Sequence, residues 1–217
     1  MYADDTVLFA NSKENLQKCL NGLQQYCDKW KLQINADKTK VLVFSKRKID
    51  KRNINFTIGG ESIEIVDEFK YLGVKFSYNG NFHTNTKDLE IQGNRALFSV
   101  IKKARKENLP VDMQFELFDR MVVPVILYGC EIWGYKKRII LERLHLKFCK
   151  MVLKLKQSTP NVMVYGEAGR FCLEYYAKKR MINFWSKILL GNNSKLSYSI
   201  YNLCKHRHDN GMPTSEW

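Results

Sequence analysis

The spacing of apolar residues changes for good at about residue 86, and a fold of one secondary-structure class cannot satisfy both patterns. Before that point the period is two. Ile54, Phe56 and Ile58, then Ile63 and Ile65, flank Gly59-Gly60, the signature of two paired strands joined by a tight glycine turn. "TVLFA" (Thr6 to Ala10) and "KVLVFS" (Lys40 to Ser45) read as further strands. "FKYLGVKFSYNGNF" reads as another, ending at Asn79-Gly80. One helix interrupts them over residues 13 to 31. Ser12 is placed to cap it, Glu14 lies in its first turn, and Leu16, Leu20, Leu23, Cys27 and Trp30 form a stripe.

Beyond the change the period is about 3.6 residues. Leu89, Ala96, Leu97, Val100, Ile101 and Ala104 mark one helix. A second opens near Asp112 and runs through Phe115, Phe118, Val122 and Ile126, with a kink expected at Pro124. Ile140, Leu144, Phe148, Met151, Val152 and Leu155 mark a third. Thr159-Pro160 has the cap-then-first-turn order of a short helix, and Tyr176 to Ile188 carries the last long one. The expectation is an α+β chain, with strands and one long helix over 1–83 and an all-helical portion over 84–217.

Charge narrows the partners. Lys and Arg total 36 against 22 acidic residues, a formal net charge of +14. A balance that basic points to a polyanion, of which nucleic acid is the commonest. The run "SKRKIDKRN" (Ser45 to Asn53) reads as a solvated basic loop rather than an import signal. None of the six cysteines stands in C-x-x-C spacing, and buried free thiols are the economical account. Cys204, His206 and His208 in "CKHRH" match none of the common zinc patterns. No signal peptide opens the chain and no apolar run approaches the roughly 20 residues of a membrane helix. The reading is an intracellular protein, nuclear or cytoplasmic, with no membrane partner.

The motif that carries chemistry is "YADD". Adjacent carboxylates Asp4 and Asp5 repel one another unless divalent cations neutralise them. Aspartate oxygens suit Mg²⁺, and phosphoryl transfer uses a pair of such ions. A lone Asp-Asp is most often a solvated turn. The full string at a given position arises by chance only about once in 10⁵.

"YADDTVLFA" resembles the active-site motif of reverse transcriptases, specifically those of non-LTR, LINE-type retrotransposons. "CDKWKLQINADKTKVLVFSK" is similar to the palm segment that follows it, and "EFKYLGVKFSYNGNF" to the primer-grip hairpin. "LFDRMVVPVILYGCEIWG", "LERLHLKFCKMVLKL" and "STPNVMVYGEAG" are similar to the downstream region, in the family's order. The resemblance implies an RNA-directed DNA polymerase that adds dNTPs to a DNA primer on an RNA template. Asp4 and Asp5 would be catalytic carboxylates holding two Mg²⁺ ions, and Lys38 would protonate departing pyrophosphate, with Lys40 its near alternative. Tyr71, Leu72 and Gly73 would form the primer grip. Lys102, Lys103, Arg105 and Lys106, with Lys136 to Arg138, would face the duplex backbone from a helical thumb. Trp133 reads as core. Residues 1–83 would then be the C-terminal part of a palm and 84–217 the thumb and post-thumb region.

The family's third aspartate, the strand before the turn, the fingers and the dNTP pocket have no counterpart in this sequence. The expectation is therefore a C-terminal fragment starting at YADD, without measurable polymerase activity alone. The alternative is an inactive remnant, or a co-opted non-enzymatic domain for nucleic-acid binding or protein interaction.

Overall fold

Ser12 begins the first helix by accepting a hydrogen bond at Oγ from the backbone N–H of Asn15 (3.2 Å), and Lys31 ends it in the left-handed region at φ 55°. Between them α1 (Lys13–Trp30) turns Leu20 and Cys27 inward, while Trp30 at its last turn stays 59% exposed. The computed structural model describes residues 5–47, 50, 54–136, 138–191 and 195–211. They divide into two compact units, Met1–Thr84 and Asn85–Trp217.

In the first unit α1 packs on a three-stranded sheet of order β1-β3-β2: β1 (Lys40–Leu42), β2 (Phe56–Ile58) and β3 (Glu61–Val66). β1 runs parallel to β3, and β2 is antiparallel to it with Ile58 opposite Glu61. Only Gly59 and Gly60 remain to turn the chain, at φ 58° and 86°, where a side chain would be strained. Leu20, Val41, Phe56, Ile58 and Ile63 close the core, with Leu8, Leu16 and Leu23 packed against it. The Gln17 amide covers the β2 edge by donating to Thr57 O (2.8 Å) and accepting from Thr57 N (3.1 Å).

Two expectations are corrected here. Thr6 to Ala10 is not a strand: it joins no ladder among the described residues, and a β-prone sequence stays irregular where no strand edge meets it. "FKYLGVKFS" is not one strand but two, β4 (Glu68–Tyr71) and β5 (Val74–Ser77).

The second unit is helical: α2 (His83–Lys106), α3 (Val111–Met121), α4 (Val123–Ile126), α5 (Cys130–Trp133), α6 (Ile139–Val152), α7 (Asn161–Ala168), α8 (Leu173–Leu189) and α9 (Leu196–Asp209). Pro124 does not kink one long helix but separates α3 from α4. It lies in the first turn of α4, where a missing N–H costs nothing. Pro160 occupies the N-cap position of α7, not its first turn. Trp133 is core, at 1% exposure, its indole N–H donating to Tyr128 O (2.9 Å). α6 is buried on nearly every side, Glu142, His145 and Lys150 included. The Lys150 ammonium donates to Gln157 O at 2.7 Å.

Close approach of α2 to its neighbours depends on Gly93. A Cβ there would stand 2.3 Å from Ile126 Cγ2 and 3.1 Å from Leu144 Cδ1. Ile126 is β-branched, helical and fully buried, so its methyl cannot swing aside. Alanine in a helix gains about 1 kcal/mol over glycine, while overpacking a core costs about 1–3 kcal/mol. Gly93→Ala should therefore lower the midpoint of thermal unfolding by several degrees. A raised midpoint would show that the helices do not meet there.

Candidate active site and nucleic-acid interface

Asp5 forms an isolated β-bridge and is exposed; Asp4 lies outside the described residues. Among the described residues no group of three or more His, Cys, Asp or Glu side chains is placed to hold a metal ion. Adjacent aspartates nonetheless present the hard oxygens that Mg²⁺ takes, one or two carboxylates per ion with water elsewhere, so the donor chemistry of Asp4-Asp5 fits that cation.

Lys38 sits exposed on the turn before β1, its backbone N–H donating to Asn35 Oδ1 (2.9 Å). Asn35 also accepts from Thr39 through its carbonyl, so one asparagine shapes the whole turn. Lys38 and Asp5 share no hydrogen bond or ion pair among the described residues. Lys40, by contrast, is committed. Its ammonium lies 2.7 Å from Glu64, the residue opposite it in the β1–β3 register.

Tyr71, Leu72 and Gly73 come together as the tip of the β4–β5 hairpin. Tyr71 pairs with Val74, so Leu72 and Gly73 alone make the turn, at φ 46° and 81°. Leucine seldom takes a left-handed conformation, which costs of order 1–2 kcal/mol. Here it does so with its side chain 39% exposed. The register also sets Lys70 directly opposite Lys75, on the pair next to the closing one. Side chains there approach closely, and like charges so placed repel. The sequence held both lysines, but only the hairpin register reveals their opposition.

The basic cluster Lys102, Lys103, Arg105 and Lys106 is exposed at the C-terminal end of α2, with Ala104 buried between them. Lys136 is exposed, Arg138 half-buried, and Lys137 lies outside the described residues. Cys204, His206 and His208 lie along α9, where His206 contacts the Asn210 amide and His208 lies 3.6 Å from Asp209. All six cysteines are free. Cys19 is exposed rather than buried, while burial pushes the Cys130 and Cys149 thiols up to about 11 and leaves them inert.

Sequence reading missed a polar network that binds three of the downstream segments together. The Glu142 carboxylate accepts from His145 Nδ1 (3.3 Å), from the Tyr165 hydroxyl and from the Leu173 backbone N–H (2.9 Å). Arg170 Nε, which can only donate, bonds His145 Nε2 (3.1 Å), so the imidazole is neutral with its proton on Nδ1. The Arg170 fork then engages Asp119, one bond being 2.9 Å. Phe118 stacks on His145 at 5.4 Å and on Phe148 at 4.3 Å. The one sequence signal was Glu142 and His145 at i, i+3 among the apolar residues of α6.

Burial pushes the Glu142 carboxyl up, but the bonds from His145 and Tyr165 outweigh it and hold the group below its ordinary 4.5. A depressed folded-state value makes the carboxylate's contribution complete above pH 4.5 and progressively lost as pH falls through the lower folded value. Acid titration followed by circular dichroism should show the helices destabilised below that point. Glu142→Gln should remove this part of the pH dependence; an unchanged acid profile would count against it.

Residues 1–76, which include α1, the three-stranded sheet and all but the last residue of the β4–β5 hairpin, match the reverse transcriptase (RNA-dependent DNA polymerase) family. A transposon-derived protein of Caenorhabditis elegans is 32% identical over 71% of the chain and 54% of its own length. The RNA-directed DNA polymerase from mobile element jockey of Drosophila funebris is 26% identical over 71% of the chain and 17% of its own length. The Pol polyprotein of retrotransposable element R2 from Popillia japonica is 30% identical over 48% of the chain and 23% of its own length. The matched segment thus spans about half of the first relative and about a sixth of the second. No solved structure matches the chain. Residues 1–76, which carry the YADD motif and the palm-like elements, are thus similar to reverse transcriptases, and the relatives of the longer stretch include RNA-directed DNA polymerases of mobile elements.

Proposed function

We propose that the chain is the segment of a longer RNA-directed DNA polymerase that carries its YADD turn, its primer grip and the thumb-like helices after them. The observation that supports this best is the exposed Leu72-Gly73 turn, held in left-handed backbone beside the opposed Lys70 and Lys75. Strain of that kind at an exposed tip suits a place where another backbone must approach closely. Asp4 and Asp5 would hold Mg²⁺, which when bound supplies charge stabilisation to the attacking and leaving oxygens. Lys38, exposed on its turn, would give a proton to departing pyrophosphate. The basic end of α2 would track the RNA–DNA backbone without reading sequence.

The likeness to a transposon-derived protein of Caenorhabditis elegans supports a second reading, an inactive product that keeps only nucleic-acid binding. The deciding experiment is binding of a blunt RNA–DNA hybrid over a salt series, followed by primer extension with Mg²⁺. Binding that weakens steeply with salt supports both readings; the segment alone should give no extension, and extension lost on Asp4→Asn would overturn the inactive reading. No binding at low salt overturns both.

A further inference from the structure

The outward face of α8 has no place in the palm-and-thumb reading. Leu173, Ala177 and Ile188 turn one side of this helix into the core. At 100° per residue Tyr175, Lys178, Lys179 and Ile182 fall on the opposite arc and Trp185 at its edge, about 80° round from Tyr175, and all five are exposed. Tyr175 is 44% exposed and Trp185 42%, and Phe171 extends the row, its ring 4.6 Å from that of Tyr175. Rings that large are seldom left in water without a partner. Between Leu173 and Asp209 the chain carries seven lysines and arginines against two acidic residues, so the partner should be anionic.

We propose that this face of α8 binds single-stranded nucleic acid, with unpaired bases stacked on Tyr175 and Trp185 and phosphates against Lys178 and Lys179. The two rings lie ten residues apart, about 15 Å along the helix, which is the span of about four stacked nucleotides at 3.4 Å each. A duplex hides its base faces and offers nothing to the rings; a single strand offers both base faces and phosphates. A lipid surface would take an unbroken apolar face, whereas here ammonium groups interrupt the rings. Lys178 is bonded to Glu174 at 2.7 Å with its side chain 54% exposed. Such a surface pair is weak and yields to a phosphate.

The test is fluorescence anisotropy of the whole chain with labelled twelve-residue oligo(dT) and oligo(U) between 50 and 200 mM salt. Tyr175→Ala with Trp185→Ala should weaken binding about a hundredfold, roughly tenfold per ring, at unchanged salt slope. Lys178→Gln with Lys179→Gln should instead make the slope shallower by about 1.4, at about 0.7 per phosphate on single strands. Trp185→Phe should keep most of the affinity. Both rings are more than half covered, so the aromatic double variant should lower the unfolding midpoint by a few degrees while the lysine variants leave it unchanged, and Trp185→Phe separates lost binding from lost packing. The proposal is overturned if the aromatic double variant binds within threefold of the parent, or if a blunt duplex competes equally well. Binding to phosphatidylserine vesicles without binding to either oligonucleotide also overturns it. The polymerase reading rests on hybrid duplex bound elsewhere, so hybrid binding that persists while oligonucleotide binding fails would sink this proposal alone.

Discussion

Glu142→Ala is expected to destabilise the helical unit by about 3 kcal/mol or more, because it removes the one acceptor that three neutral donors share. The carboxylate is 7% exposed and satisfies three donors at once: His145 Nδ1, the Tyr165 hydroxyl and the Leu173 N–H. Alanine leaves the buried His145 and Leu173 donors and the half-buried Tyr165 hydroxyl without that acceptor, and each orphaned buried donor costs about 1–3 kcal/mol unless water enters. Tyr165→Phe removes one donor and leaves the carboxylate two, so it should cost much less. The double variant should lose less than the sum of the single losses, since both substitutions break one shared bond. Urea unfolding measures each corner of this cycle. A loss under 1 kcal/mol for Glu142→Ala would mean that the network is not closed in solution.

That network also marks the limit of what could be read before the structure. The period change, the capped α1 and the glycine hairpin were legible because each signal lies within a few residues. Ser12 caps Asn15, and Gly59-Gly60 joins strands that touch. Asp119 lies on α3, Glu142 and His145 on α6, Tyr165 on α7 and Arg170 just beyond it, and only tertiary packing brings the three segments into one cluster. The turn at Leu72-Gly73 was reached only through the family resemblance and not through the periodicity. Leucine has no turn propensity, so an apolar run hid the break between β4 and β5. Helix α9 was missed although Leu196, Ile200 and Leu203 stand at helical spacing, because none of its residues is buried and the stripe has no core to anchor it. Of the candidate site, the motif nominated the aspartates, but no sequence pattern could set Lys70 against Lys75.

Replacing Lys102, Lys103, Arg105 and Lys106 together by glutamine should reduce the affinity for an RNA–DNA hybrid about a thousandfold at 50 mM salt, and flatten its salt dependence. At 100° per residue the four cations span about 160° of α2, opposite the arc on which Leu97, Val100 and Ala104 are buried. The same helix side cannot both pack and bind, and here the two arcs do not overlap. There is a competing reason for the cluster. Lys103, Arg105 and Lys106 lie in the last turn, where cations offset the negative end of the helix dipole. That role is worth about 0.3–1 kcal/mol per residue and would appear as a lower unfolding midpoint, with hybrid binding unaltered. Phosphate contacts predict something different. Each one neutralised on a duplex contributes about 0.9 to the slope of log affinity against log salt, so four lost contacts flatten it by up to about 3.6. A change in slope below one unit, with the midpoint lowered, would assign the cluster to the helix terminus and leave the backbone of the hybrid to other residues.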